Sequence, residues 1–157
     1  MERDLVIAPG ADSFGIQPDV LELTGADPPR ALSDRIVLIV EDEWLVRLEL
    51  VDALEAAGWT VAESNSGEAA ITMLDKGGRF DLVITDIRLH GAMSGWDVAD
   101  AFRAENPGIG IIYASGNTAL AERQVSGSTF ISKPVRIEEL VAACERIWEA
   151  ASGDPSN

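Results

Sequence analysis

From residue 36 onward, short apolar runs alternate with longer amphipathic stretches. The runs at 36–40 ("IVLIV"), 60–64 ("TVAES"), 81–85 ("DLVIT"), 109–114 ("IGIIYA") and 129–132 ("TFIS") have the length and branched side chains of strands. Helical spacing fills the gaps. Trp44, Leu48, Val51 and Leu54 recur on one predicted face in a segment stopped by Gly58, and "GEAAITMLDKGG" reads as a second, shorter helix with the same kind of stop. "SGWDVADAFRAENPG" opens on Ser94 as an N-cap, sets Val98, Ala99 and Phe102 on one face, and stops at "NPG". Ile137, Leu140, Val141, Cys144, Ile147 and Trp148 form the last stripe, in which Cys144 reads as a small core residue.

Several of these strands are apolar at consecutive positions, which requires burial on both faces. The pattern predicts an α/β fold: a doubly wound, five-stranded parallel sheet covered by helices. In such sheets ligands bind beyond the carboxyl ends of the strands. Residues 1–33 follow neither period. With Pro9, Pro18, Pro28 and Pro29 they read as an arm, flexible or docked through "LVIA" and "VLEL", ahead of a domain over 34–151 and a tail over 152–157.

Charge narrows the partners. Twelve lysines and arginines against 27 aspartates and glutamates give a formal charge of −15, which repels nucleic-acid backbones and favours divalent cations or basic protein surfaces. A single cysteine cannot form an internal disulfide. There is no basic, apolar leader and no run approaching the roughly 18 apolar residues of a membrane span, so the expectation is a cytoplasmic protein without nucleic-acid or membrane partners.

The candidate chemistry gathers at the predicted strand ends. Glu41, Asp42 and Glu43 follow the first strand, Asp86 ends the third, Ser115 the fourth, and Lys133 follows the fifth. Each alone has an ordinary role in a turn or cap; all at one relative position form a candidate site. Two carboxylates about 5 Å apart repel by roughly 3 kcal/mol at an effective dielectric of 20, so Glu41, Asp42 and Asp86 require cations. Lys133 is one. Oxygen ligands suit Mg²⁺ for the rest, and the lack of a thiolate or histidine cluster argues against zinc. A carboxylate beside a metal and a lysine can receive a phosphoryl group, with Asp86 the choice of acceptor because it stands apart from the acidic triplet.

The ordered motifs "VLIVEDE", "DLVITDIRL", "GxxSGWDVA", "YASG" and "SKPV" closely resemble the receiver domain of bacterial two-component response regulators over residues 35 to 151. The resemblance implies the flavodoxin-like strand order 2-1-3-4-5. It makes Asp86 the phosphoacceptor and a metal ligand, Asp42 the direct metal ligand, the Arg88 backbone carbonyl a further one, and Glu41 a ligand through water. Lys133 would pair with the phosphoryl group, Ser115 would move to hydrogen-bond it, and Phe130 occupies the place of the switch aromatic. The bond from Lys133 to Pro134 is expected to be cis, and Glu43 to cap or solvate the first helix. His90 stands where proline is common and reads as plain surface.

"YASG" is also similar to the Phe-Ala-Thr-Gly receivers of some alphaproteobacterial pathways, which implies a reduced or mobile fourth helix around residues 117 to 127. The last helix runs out in "ASGDPSN", and the expectation is that no output domain follows. The expectation is a single-domain regulator. It would take a phosphoryl group from a sensor histidine kinase or histidine phosphotransfer protein and switch an unknown downstream protein target or act as a phosphate sink. It would be no metabolic enzyme. Two other readings remain: a degenerate receiver that binds partners without phosphorylation, and a phosphatase of the haloacid dehalogenase type. The latter requires a second aspartate where this chain has Arg88.

Overall fold

The computed structural model describes residues 35–116 and 123–153. In chain order these residues form β1 (Ile36–Val40), α1 (Trp44–Ala56), β2 (Thr60–Ser64), α2 (Gly67–Asp75), β3 (Leu82–Asp86), α3 (Gly95–Glu105), β4 (Gly110–Ser115), β5 (Thr129–Ser132) and α4 (Ile137–Ala151). The five strands pair in parallel in the order β2-β1-β3-β4-β5. The expected flavodoxin-like sheet is therefore the observed one. β1, β2 and β5 coincide with their predicted runs. β3 and β4 sit one residue later; Ile109 N–H donates to the Asn106 carbonyl in the turn that precedes β4.

The consecutive apolar positions divide by the two-residue period of a strand. Val37, Ile39, Leu82, Ile84, Ile112 and Ile131 pack with Leu50, Val51 and Leu54 of α1 and with Leu140, Ala143 and Cys144 of α4. Leu38, Val40, Val83, Ile111 and Tyr113 point the other way, among Ala70 of α2 and Val98, Ala99 and Phe102 of α3. Strands sandwiched in this way have no polar face to alternate with. Burial also pushes the Cys144 thiol up to about 12, in keeping with its predicted core role.

The predicted stripe of α1 needs correction in its first half. Leu54 and Val51 are buried, but Trp44 is 67% exposed and Leu48 46%. Val46 of the first turn packs against the core and Leu50 is buried with Val51 and Leu54, so the covered face is rotated from the predicted stripe and leaves Trp44 and Leu48 on its solvent side. Glu43 occupies the N-cap position, yet its side chain makes no capping bond and lies exposed to solvent.

Between β4 and β5, residues 123–128 contain no α-helix; they turn through Gly127 at φ 74° and a bond from Ser128 N–H to the Val125 carbonyl (3.2 Å). The reduction expected of that connection holds over this stretch, and its remainder at 117–122 lies outside the described residues. So do the predicted arm at 1–33 and residues 154–157 of the predicted tail. Among the described residues, no helix is long and apolar enough to cross a membrane.

Candidate functional site

Parallel register brings the strand ends to one edge: Val40 pairs with Thr85, Asp86 with Ala114, and Ser115 with Ser132. The ladder continues one step beyond two strands. Glu41 N–H donates to the Ser64 carbonyl at 3.0 Å and Lys133 N–H to the Ser115 carbonyl at 2.9 Å, so both side chains leave from ordered backbone. The Lys133–Pro134 bond is cis, as expected.

Glu41, Asp42 and Asp86 each offer a carboxylate oxygen within 4.8 Å of the others. Lys133 joins two of them, with its Nζ 2.9 Å from Glu41 Oε2 and 3.0 Å from Asp86 Oδ2. Glu41 is only 2% exposed. Burial holds its carboxyl above the usual range against the lowering effect of the Lys133 ammonium and the Glu43 N–H. For Lys133, burial pulls the ammonium downward, while its hydrogen bonds to Glu41 and Asp86 more than offset this and leave it above its ordinary value.

Three carboxylates with one ammonium leave two formal negative charges in excess. All the clustered donors are hard oxygens, and one ammonium already serves two carboxylates. That donor set fits a divalent hard cation such as Mg²⁺ held by one or two carboxylates and water.

Backbone contacts fix the end of β3. Arg88 N–H donates to Asp86 Oδ1 at 3.3 Å, and the Thr85 hydroxyl donates to the Asp86 carbonyl at 2.8 Å. Gly95, the first residue of α3, donates its N–H to the Ile87 carbonyl at 2.8 Å. A Cβ there would collide with the Asp86 carbonyl oxygen and stand 2.8 Å from Ile87 Cα. Gly95 is thus a positioning residue for Asp86. In the sequence it follows the N-cap serine within the "GxxSGWDVA" motif, which marks the residue but not this contact. The cap is complete: Asp97 N–H donates to Ser94 Oγ at 3.3 Å and Ser94 N–H to Asp97 Oδ2 at 2.8 Å.

Ser115 is buried at the end of β4, and Phe130 of β5 is half-buried, paired across the ladder with Tyr113. The Tyr113 hydroxyl accepts the Val125 N–H at 3.1 Å and so ties β4 to the following connection. His90 is a surface residue, as read, and borders the acidic cluster. Its ring is 92% exposed, but its Nδ1 stands 3.0 Å from Asp42 Oδ2, and its main-chain N–H donates to the same oxygen at 2.8 Å. No local pattern announces that contact.

Residues 37–145 match the sequence model of the response regulator receiver domain. The chain is 31% identical over 119 residues to the response regulator receiver protein CpdR of Brucella abortus, covering 73% of this chain and 98% of that protein. It is 33% identical over 109 residues to the probable transcriptional regulatory protein TcrX of Mycobacterium tuberculosis, covering 67% of this chain and 46% of the relative. The chain thus spans less than half the length of the first curated relatives it matches. Among solved structures, a response regulator receiver protein from Sinorhizobium medicae superposes with a TM-score of 0.72 at 34% identity, over 74% of this chain and 96% of that one.

Proposed function

The chain belongs to the response regulator receiver domain family, and from that premise we propose that Asp86 accepts a phosphoryl group from the phosphohistidine of a sensor histidine kinase or histidine phosphotransfer protein. The observation that carries this reading is the Lys133 ammonium, shared between Asp86 and a sealed Glu41 at the carboxyl edge of the sheet. Receiver domains are regulatory rather than metabolic catalysts, and the proposed chemistry is one transfer per molecule.

In that transfer an Asp86 oxygen attacks phosphorus, the phosphorus–nitrogen bond to the donor imidazole breaks, and the imidazole nitrogen leaves with the electron pair. Lys133 holds Oδ2 of Asp86, which leaves Oδ1, under the weaker 3.3 Å hold of Arg88 N–H, to attack. The product is an acyl phosphate, which water returns to the carboxylate and inorganic phosphate. The ammonium of Lys133 then balances phosphoryl charge, and the Ser115 hydroxyl donates to a phosphoryl oxygen. Asp42, Asp86 and the Arg88 carbonyl would hold Mg²⁺, with Glu41 acting through water; the ion supplies charge neutralisation at the phosphoryl oxygens.

The acyl phosphate would bias a two-state equilibrium through Ser115 and Phe130, changing which proteins bind, or would drain the donor as a phosphate sink. Support for a role through protein contacts comes from the match to nearly the whole of CpdR and from a formal charge that disfavours nucleic acid. On this reading the exchange takes place in the cytoplasm.

Incubation with acetyl phosphate, with and without Mg²⁺, followed by intact-mass measurement tests the reading. The wild-type chain is expected to gain one phosphoryl group in the presence of Mg²⁺, and the Asp86→Asn variant none. No mass gain in the wild type would overturn it in favour of a phosphorylation-independent interaction module. Turnover of a generic phosphate ester would instead mark a phosphatase.

A further inference from the structure

We infer that Glu68 of α2 is a positioning residue for phosphoryl transfer: its carboxylate clamps the loop between β3 and α3 and so holds the main chain of Arg88 and His90 against Asp86 and Asp42. The inference rests on the reading of Asp86 as phosphoacceptor.

Three alternate residues of that loop each donate a main-chain N–H to a carboxylate. Arg88 donates to Asp86 Oδ1 at 3.3 Å, His90 to Asp42 Oδ2 at 2.8 Å and Ala92 to Glu68 Oε2 at 2.8 Å. The first two acceptors belong to the acidic cluster, and the third comes from α2. Its fit is close. Gly91 turns at φ 101°, and a Cβ there would stand 2.9 Å from both Glu68 oxygens, so the approach needs glycine. A Cβ on Gly67, the neighbour of Glu68, would stand 2.8 Å from Met93 Cβ. The start of α2 therefore grips the loop at residues 91, 92 and 93. The Glu68 carboxyl is held below the usual carboxylate range by its own main-chain N–H, then by those of Ala92 and Met93, as befits an ionised group with several donors.

Only Gly91 separates Ala92 from His90, and glycine constrains its own backbone least. Without the hold of Glu68 that turn loosens, and the His90 N–H loses its placement on Asp42. The long bond from Arg88 to Asp86 follows. On the proposed reading Asp42 and the Arg88 carbonyl are metal ligands, so Glu68 reaches the transfer through the loop without touching the reacting atoms.

The test compares the wild-type chain with Glu68→Ala and Glu68→Gln. Glu68 is exposed, so both replacements spare the core. Amide hydrogen exchange of the metal-free chain, read residue by residue by NMR, is expected to quicken about tenfold in Glu68→Ala at Arg88 and His90 as well as at Ala92. Phosphoryl uptake from acetyl phosphate with Mg²⁺ is expected to slow about tenfold in the same variant. Glutamine keeps an oxygen that accepts the Ala92 N–H and is expected to stay near the wild type in both. Faster exchange confined to Ala92, or uptake as fast as in the wild type, overturns the inference and leaves Asp86 standing as acceptor. A wild-type chain that gains no phosphoryl group overturns the acceptor reading itself, and with it the role in transfer.

Discussion

Lys133 and Glu41 are 92 residues apart in the chain, and their charged ends meet at 2.9 Å with the glutamate sealed from solvent. Lys133 is the cation that makes an ionised Glu41 tolerable there. Lys133→Met is expected to destabilise the fold by about 2 kcal/mol, below the usual loss for a fully buried pair because the lysine is partly exposed. Glu41→Gln in the same chain should recover most of that loss. Urea unfolding of the two single variants and the double variant measures both; additive losses would contradict the pairing.

Gly95→Ala puts a methyl group against the Asp86 carbonyl and Ile87 Cα, two backbone atoms that cannot swing aside as a side chain could. The expected cost is about 2 kcal/mol or more. The larger consequence is for the site, since relieving the clash displaces the end of β3. Phosphoryl uptake from acetyl phosphate should fall at least tenfold in the variant under conditions where its circular dichroism shows a folded chain. Undiminished uptake would show that Asp86 does not depend on this contact.

The cap of α3 should be pH-sensitive. The Ser94 N–H and hydroxyl hold the Asp97 carboxyl below its usual value, so the unfolded state takes up the proton first as pH falls. The contribution is therefore complete above the unfolded-state value near 4 and lost as pH falls through the lower folded-state value. Asp97→Ala should cost stability at pH 7 and progressively less below pH 4. Ser94→Ala, which removes the other half of the box, should cost about 1 kcal/mol at neutral pH. Guanidinium unfolding at several pH values would expose a constant difference, which the cap does not permit.

Two leucines of α1 should respond in opposite ways. Leu54 is fully buried, and Leu54→Ala is expected to cost about 3 kcal/mol through lost burial and a residual cavity. Leu48 is 46% exposed, and Leu48→Ala should stay within about 0.5 kcal/mol. Thermal or urea midpoints measured side by side decide it, and equal losses would restore the stripe that the spacing predicts.

Those leucines also show how far local pattern reaches. Spacing identifies α1 as a helix because 3.6-residue periodicity is a property of the segment itself. Which of its apolar residues are covered depends on how the helix is rotated against the sheet, and that is set by its packing on β1 and its neighbours. The strand ends were legible for a related reason. In a parallel sheet, a polar residue after an apolar run leaves the core at the same edge on every strand, so Glu41, Asp86, Ser115 and Lys133 could be grouped before any distance was known. The contacts of His90 and Gly95 could not. Gly95 is marked by its motif, but its approach to Asp86, like that of the loop residue His90 to Asp42, is made across the fold.

The sequence by itself determined the order of strands and helices, the burial of the sheet on both faces, and the edge at which acid, hydroxyl and ammonium groups emerge. These follow from short-range periodicity and from where apolar runs stop. Only the tertiary structure decided that Lys133 spans Glu41 and Asp86, that the His90 main-chain N–H meets one oxygen of Asp42, and that α3 presses its first glycine against the end of β3. Such pairings depend on ångström-scale distances between segments far apart in the chain, which packing sets and no local pattern encodes.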